Sequence, residues 1–131
     1  MKKISQTWMA TRKLSSSINP NKYNIEINIG IPEREFPGTW RCAFQIFYND
    51  KKIIKYAYGI DAIQSLINSF SAIRTTMNDL QINATWEGAF PEDLGDHGFP
   101  YVVPYWYGLN FSKKIEQLID TELSLFNKNI F

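Results

Sequence analysis

The chain reads as an α+β domain: an antiparallel sheet of four to five strands with two helices packed on one face. Three observations predict this. Apolar residues alternate with period two through much of the first half, the mark of strands with one buried face. After Gly59 the apolar spacing switches to that of a helix, and it does so again near the carboxyl terminus. Strands therefore come first, and two helices then frame one more strand. That order places helices on one side of an antiparallel sheet, where each element buries its apolar face.

Taken in order, a first strand is expected over TWMATRKL (7–14). In KYNIEINIGI (22–31), Tyr23, Ile25, Ile27, Ile29 and Ile31 alternate with Asn24, Glu26, Asn28 and Gly30. Pro32 has no amide hydrogen to donate and ends that strand, so PEREFPG (32–38) reads as a loop. TWRCAFQIFY (39–48) sets Trp40, Cys42, Phe44 and Ile46 on one side. Asn49-Asp50 is a tight-turn pair leading into KKIIKYAY (51–58), so these two strands form a hairpin. The simplest arrangement is a four-stranded meander.

In GIDAIQSLINSFSAIRTTM (59–77), Ile63, Leu66, Ile67, Phe70, Ile73 and Met77 recur at helical intervals. Asp61 is a fitting N-cap, and Gln64 three positions on supplies the reciprocal partner of a capping box. LQINATWEG (80–88) reads as a short fifth strand. The last segment, NFSKKIEQLIDTELSLF (110–126), places Phe111, Ile115, Leu118, Ile119, Glu122 and Phe126 on one stripe behind Asn110 as cap. Glu122 is the polar exception.

At 131 residues, 44% hydrophobic and 15% aromatic, the chain suits one domain over 1–131 with one ample core. The net charge of +1 hides an asymmetry: residues 1–60 carry ten Lys/Arg against four Asp/Glu, and residues 61–131 carry four against nine. Such a split can make the molecule dipolar and steer a charged partner. Cys42 is the single cysteine, which excludes an internal disulfide and fits a reducing compartment. The opening MKKISQTWMA has its apolar run broken by Ser5, Gln6 and Thr7, so no signal peptide is expected. No apolar run approaches the ~18 residues of a membrane span, and the expected location is the cytoplasm.

The chemistry-bearing residues are sparse. Cys42 with His97 would be the one nucleophile–base pair, but Cys42 shares its strand face with Trp40, Phe44 and Ile46 and reads as a core thiol. His97 with Glu92, Asp93 and Asp96 lacks the ligand spacing of a metal site. Two well-placed acids would suffice for glycoside chemistry, yet the acids here cluster in one stretch that reads as a solvated loop. The glycines form no phosphate-cradling pattern, so no cofactor is expected. Arg12, Lys13, Arg41, Lys51, Lys52 and Lys55 are able to line one sheet face for nucleic acid. A pI of about 7.8 weighs against that use, and lysines at edge strands also serve to prevent aggregation. The richest stretch is EGAFPEDLGDHG (87–98), with four acids, no Lys or Arg, and Tyr101, Tyr105, Trp106 and Tyr107 just beyond. Acids that steer beside aromatics that anchor make a protein-binding surface, with Glu87, Glu92, Asp93, Asp96, His97, Trp106 and Tyr107 as its candidate residues. The alternative is a solvated loop followed by aromatics that cover the sheet, stiffened by Pro100 and Pro104.

WRCAFQI, YAYGIDAIQSLINSFSAIR, TWEG, GDHGFPYVVP and LIDTEL occur here in that order. Together they resemble an uncharacterised family of small bacterial single-domain proteins, a domain of unknown function, with YAYGIDAIQ and DHGFPYVVP as the most specific parts. The resemblance spans roughly residues 10–123. It implies a framework role for Gly59, Asp61, Gln64, Gly98, Phe99, Pro100 and Pro104, brings no catalytic residues, and marks the acidic insert around Glu92 and Asp93 as particular to this chain. The expectation is a non-enzymatic protein-binding domain, most concretely an immunity protein that binds and neutralises a cognate bacterial toxin, an analogy of class. A small enzyme or ligand-binding domain with a cleft near His97 comes second, and a nucleic-acid-binding accessory protein third.

Overall fold

A computed structural model describes residues 7–16 and 22–130; the first six residues of the opening segment lie outside it. Six strands and two long helices follow one another as β1 (Trp8–Ser16), β2 (Ile25–Gly30), β3 (Glu33–Phe36), β4 (Thr39–Tyr48), β5 (Lys51–Gly59), α1 (Ala62–Asp79), β6 (Ala84–Trp86) and α2 (Leu109–Ile130). A single 3₁₀ turn, Tyr105–Tyr107, precedes α2. The α+β class holds, with one strand more than expected.

The expected meander is present. β1 pairs β2, β2 pairs β4 and β4 pairs β5, all antiparallel, and β6 adds to the free edge of β1. The additional strand is β3, which lies where a loop was expected. Pro32 interrupts the ladder only briefly. Beyond it the chain resumes pairing with the start of β4, Glu33 opposite Arg41 and Arg34 opposite Trp40. β2 and β3 thus act as one bent strand along β4, and Glu33 clamps the register by accepting a 2.9 Å hydrogen bond from Arg41 Nε. The β4–β5 hairpin turns on Asn49 and Asp50, whose φ values of 49° and 59° are both positive, as a two-residue turn matched to strand twist requires.

The core lies between one sheet face and α1. Ile25, Ile27 and Ile29 of β2 meet Cys42, Phe44 and Ile46 of β4, with Leu14, Ile73, Met77 and Phe99 closing over them. Asp61 caps α1 by accepting from the Gln64 amide at 2.7 Å. The reciprocal bond of the box goes one residue further back than expected, from the Ile60 amide to Gln64 Oε1 at 2.7 Å. The buried face of α1 is also offset from its apolar stripe: Ser65, Ser69, Ile73, Thr76 and Met77 are buried, whereas Ile63 and Ile67 are exposed. Small hydroxyl residues let the helix axis approach the sheet closely. Their oxygens are satisfied by bonds back to Ala62, Leu66 and Ala72 carbonyls.

Only α1 packs on the sheet. α2 contacts the 3₁₀ turn before it and is exposed along nearly its whole length, in contrast to the expectation of two helices on one face. Gly108, at φ 87°, redirects the chain there, and its carbonyl accepts from the Ser112 amide, so Asn110 sits inside the first turn instead of capping it.

Candidate protein-binding surface

Residues 86–99 form a closed loop on the β1–β6 edge. The Trp86 amide donates to Asp96 O at 2.9 Å, and the Gly95 amide donates to Thr85 Oγ1 at 2.7 Å, so the two ends meet. Inner turns close from the Ala89 amide to Trp86 O, the Asp93 amide to Phe90 O and the Asp96 amide to Asp93 O. A loop whose ends touch and whose backbone bonds to itself holds one shape without a core of its own. It presents Glu87, Glu92 and Asp93 to solvent, with no cation paired to them among the described residues. Between these acids, Phe90 and Leu94 are 71% and 60% exposed.

The loop is anchored by a residue that sequence reasoning assigned elsewhere. Arg12 sits opposite Ile27 in the β1–β2 register and so points to the helix side of the sheet. Its guanidinium lies 4.2 Å from the Trp86 ring and 4.7 Å from the Phe99 ring, and it donates to His97 O at 3.2 Å. Burial lowers its pKa while Asp96 works to raise it, and the group remains a cation at any physiological pH. On the other flank Arg74 of α1 donates to Phe99 O at 3.2 Å and lies over Tyr101. Two arginines therefore hold the crossing from both sides. The inward alternation of Ala10, Arg12 and Leu14 was the signal for Arg12, since an inward arginine needs carbonyls or rings to meet it.

Asp96 and His97 do local structural work in this crossing. Asp96 Oδ1 accepts from the Gly98 amide at 2.9 Å, and His97 Nδ1 accepts from the Phe99 amide at 3.0 Å. His97 also stacks on Phe99. Burial and the nearby Arg74 and Arg12 push the His97 pKa below its ordinary value, with Asp96 opposing, so the ring is neutral at pH 7. Gly98 is at φ 76°, and a methyl group there would come within 2.6 Å of the Arg12 guanidinium and 2.8 Å of the Trp86 ring. Glycine is required by both conformation and space.

Glu87, Glu92, Asp93, Asp96 and His97 are thus brought together at the β6 edge. Trp106 and Tyr107 are not with them. The chain crosses the molecule after Phe99, and Trp106 borders a groove of about 430 Å³ with Tyr56, Tyr58, Asn68 and Thr75, beside β5 at the opposite edge. From the 3₁₀ turn into α2 the rings meet in succession: Tyr105 edge-on to Trp106, Trp106 stacked on Tyr107, and Tyr107 tilted against Phe111.

The other chemistry weighed from sequence is also placed. Cys42 is fully buried with Sγ 3.4 Å from Gly30 O, and burial pushes its thiol pKa up, away from the reactive thiolate. His97 does not line the cavity of about 220 Å³ that its neighbours Gly98 and Phe99 bound with Arg12, Ile27, Ile29 and Phe70. The basic residues do not share one face. Arg12 is turned to the helix side, Arg41 is bound to Glu33 and covers Tyr56, and Lys55 faces the α1 groove opposite Phe44. Among the described residues no helix is long and apolar enough to cross a membrane.

Residues 10–101 match the profile of a family described as a domain of unknown function, DUF6968. The chain belongs to that family. The match takes in Arg12, Trp86 and the whole 86–99 loop with its anchors, and it ends before the 3₁₀ turn and α2. In this DUF6968 chain the framework expected from YAYGIDAIQ and DHGFPYVVP has physical content: Asp61 and Gln64 cap α1, and Gly98 and Phe99 seat the crossing. No curated protein and no solved structure matches it.

Proposed function

We propose that this DUF6968 protein is a non-enzymatic protein-binding domain that docks a basic partner through its 86–96 loop. Most concretely it is a cytoplasmic immunity protein occluding the working surface of a bacterial toxin. The observation that carries the reading is the self-bonded loop presenting Glu87, Glu92 and Asp93 with no cation paired to them among the described residues, and Phe90 and Leu94 exposed among them. Unpaired acids steer a cationic surface toward the loop, and exposed rings and branched chains supply the apolar contact that holds it. A loop rigid before binding loses little entropy on docking, which favours affinity. The buried Cys42 with its raised thiol pKa, and the His97 Nδ1 taken up by the Phe99 amide, support a binding reading over a nucleophilic one.

The test is titration calorimetry of the purified chain against the product of the neighbouring reading frame. Binding is expected, weakened by salt, and weakened roughly a hundredfold or more by combined Glu92→Lys and Asp93→Lys substitution. Binding indifferent to both charge reversal and salt would overturn the assignment to the loop.

A further inference from the structure

α2 poses a problem that the loop does not. It is a helix of 22 residues, about 33 Å long, and it leaves Leu118, Ile119, Leu123, Leu125 and Phe126 between 50% and 62% exposed. Those residues fall on one stripe with Phe111 and Ile115. An isolated helix of this length is marginal in water, and its stability in proteins comes from covering its apolar face. Among the described elements, the 3₁₀ turn before it is the one that α2 packs against, and the stripe beyond stays exposed.

We infer that the stripe on α2 is covered by α2 of a second copy, running antiparallel, to give a twofold dimer. Glu122 decides the direction. Lys113 and Lys114 lie near the start of the helix, and Glu116, Asp120 and Glu122 lie further along it. A parallel pair would set Glu122, in the middle of the stripe, against the partner's Glu122 inside the apolar seam. In an antiparallel pair with its axis between Leu118 and Ile119, Phe111 meets the partner's Phe126 and Leu118 meets the partner's Ile119. Lys114 then falls within one residue of the level of the partner's Glu122, while Glu116 comes level with the neighbourhood of the partner's Asp120 on the outer flank, where water screens the two acids. Glu122, the polar interruption of the stripe, thereby gains a cation and sets the register, a role that polar residues serve in paired helices. The area is sufficient: the exposed apolar side chains bury on the order of 600 Å² per copy, about 1,200 Å² in all, at the lower edge of stable specific interfaces. The inference is independent of the loop reading, because α2 lies outside the 86–99 segment and none of its residues enters the argument for the loop.

Sedimentation velocity of the full chain at roughly 5–50 µM tests the dimer. The expected species has twice the 15.3 kDa chain mass. Leu118→Asp, at the twofold axis, is expected to give a monomer with an unchanged near-ultraviolet spectrum, since Leu118 takes no part in the core. Lys114→Glu and Glu122→Lys are each expected to weaken the dimer roughly tenfold, and the double variant to restore it by exchanging the signs. A monomeric wild-type chain overturns the inference, whether α2 then folds back, binds another protein or meets a lipid surface. So does a dimer that survives Leu118→Asp, or a double variant no stronger than the singles.

Discussion

Replacing Phe99 by alanine removes the ring on which the crossing is built. Phe99 is 6% exposed and belongs to the core cluster; its ring lies 6.5 Å from Phe70 and 5.8 Å from His97, with Arg12 over its face. A buried phenylalanine truncated to alanine costs about 3–5 kcal/mol, through lost transfer energy and the cavity left behind. Two features of the site move the figure within that range. The cavity beside Phe99 opens at the surface, so solvent and the neighbouring chains relax into the space, which places the cost near about 3 kcal/mol. The lost stacking of Arg12 adds about 0.5–1 kcal/mol, since the guanidinium retains Trp86 on its other side. A total of about 3–4 kcal/mol is a large share of the 5–15 kcal/mol typical of a domain. Urea unfolding followed by tryptophan fluorescence measures it as a fall in midpoint at constant slope. Leu94→Ala in the same loop, at an exposed position, is the control and is expected to stay within about 0.5 kcal/mol of wild type. A Phe99→Ala loss below about 1 kcal/mol would mean that the crossing is not anchored in the core, and the rigid-loop argument would fall with it.

Three further outcomes follow from the same geometry. His97 has its pKa lowered in the folded chain, so the unfolded chain takes up its proton first as pH falls through about 6.5. Stability is therefore full above that value and declines as pH drops toward the folded pKa. His97→Asn keeps an acceptor for the Phe99 amide and should flatten this part of the curve, and parallel curves for the two proteins between pH 7 and 5 would refute the assignment. Gly98→Ala is expected to cost at least about 2 kcal/mol, from positive φ and from contact with Arg12 and Trp86; a thermal melt within a degree or two of wild type would show that neither constraint binds. Cys42 should resist a thiol reagent in the native state and react only at the rate of opening, which rapid labelling at neutral pH would contradict.

Much of this fold was legible in the sequence because the period of two along β2 and β4 admits one reading, and the Asn49-Asp50 turn fixes how β4 meets β5. β3 was not legible, since Pro32 gives the same local signal whether a strand ends there or only pauses; pairing with β4 decides it, and that is a long-range fact. The tilt of α1 was hidden for a similar reason. Ser65 and Ser69 are buried by how closely the helix approaches the sheet, while Ile63 and Ile67 satisfy the periodicity and still face solvent. At the site, the acids lie in one loop as their closeness in sequence requires, whereas their separation from Trp106 depends on the path of residues 100–104 across the molecule. α2 is the opposite case: its stripe was plain, but the expected packing on the sheet is not made, because the chain turns away at Gly108 and α2 meets only the 3₁₀ turn before it.

Binding of a basic protein partner by the 86–96 loop is read by coexpression with the product of the neighbouring reading frame. The two proteins are expected to copurify in a fixed ratio, and Glu92→Lys with Asp93→Lys is expected to abolish the pairing while the melting temperature of the free chain is unchanged. A chain that purifies alone, or one that keeps its partner after both acids are reversed, would contradict it.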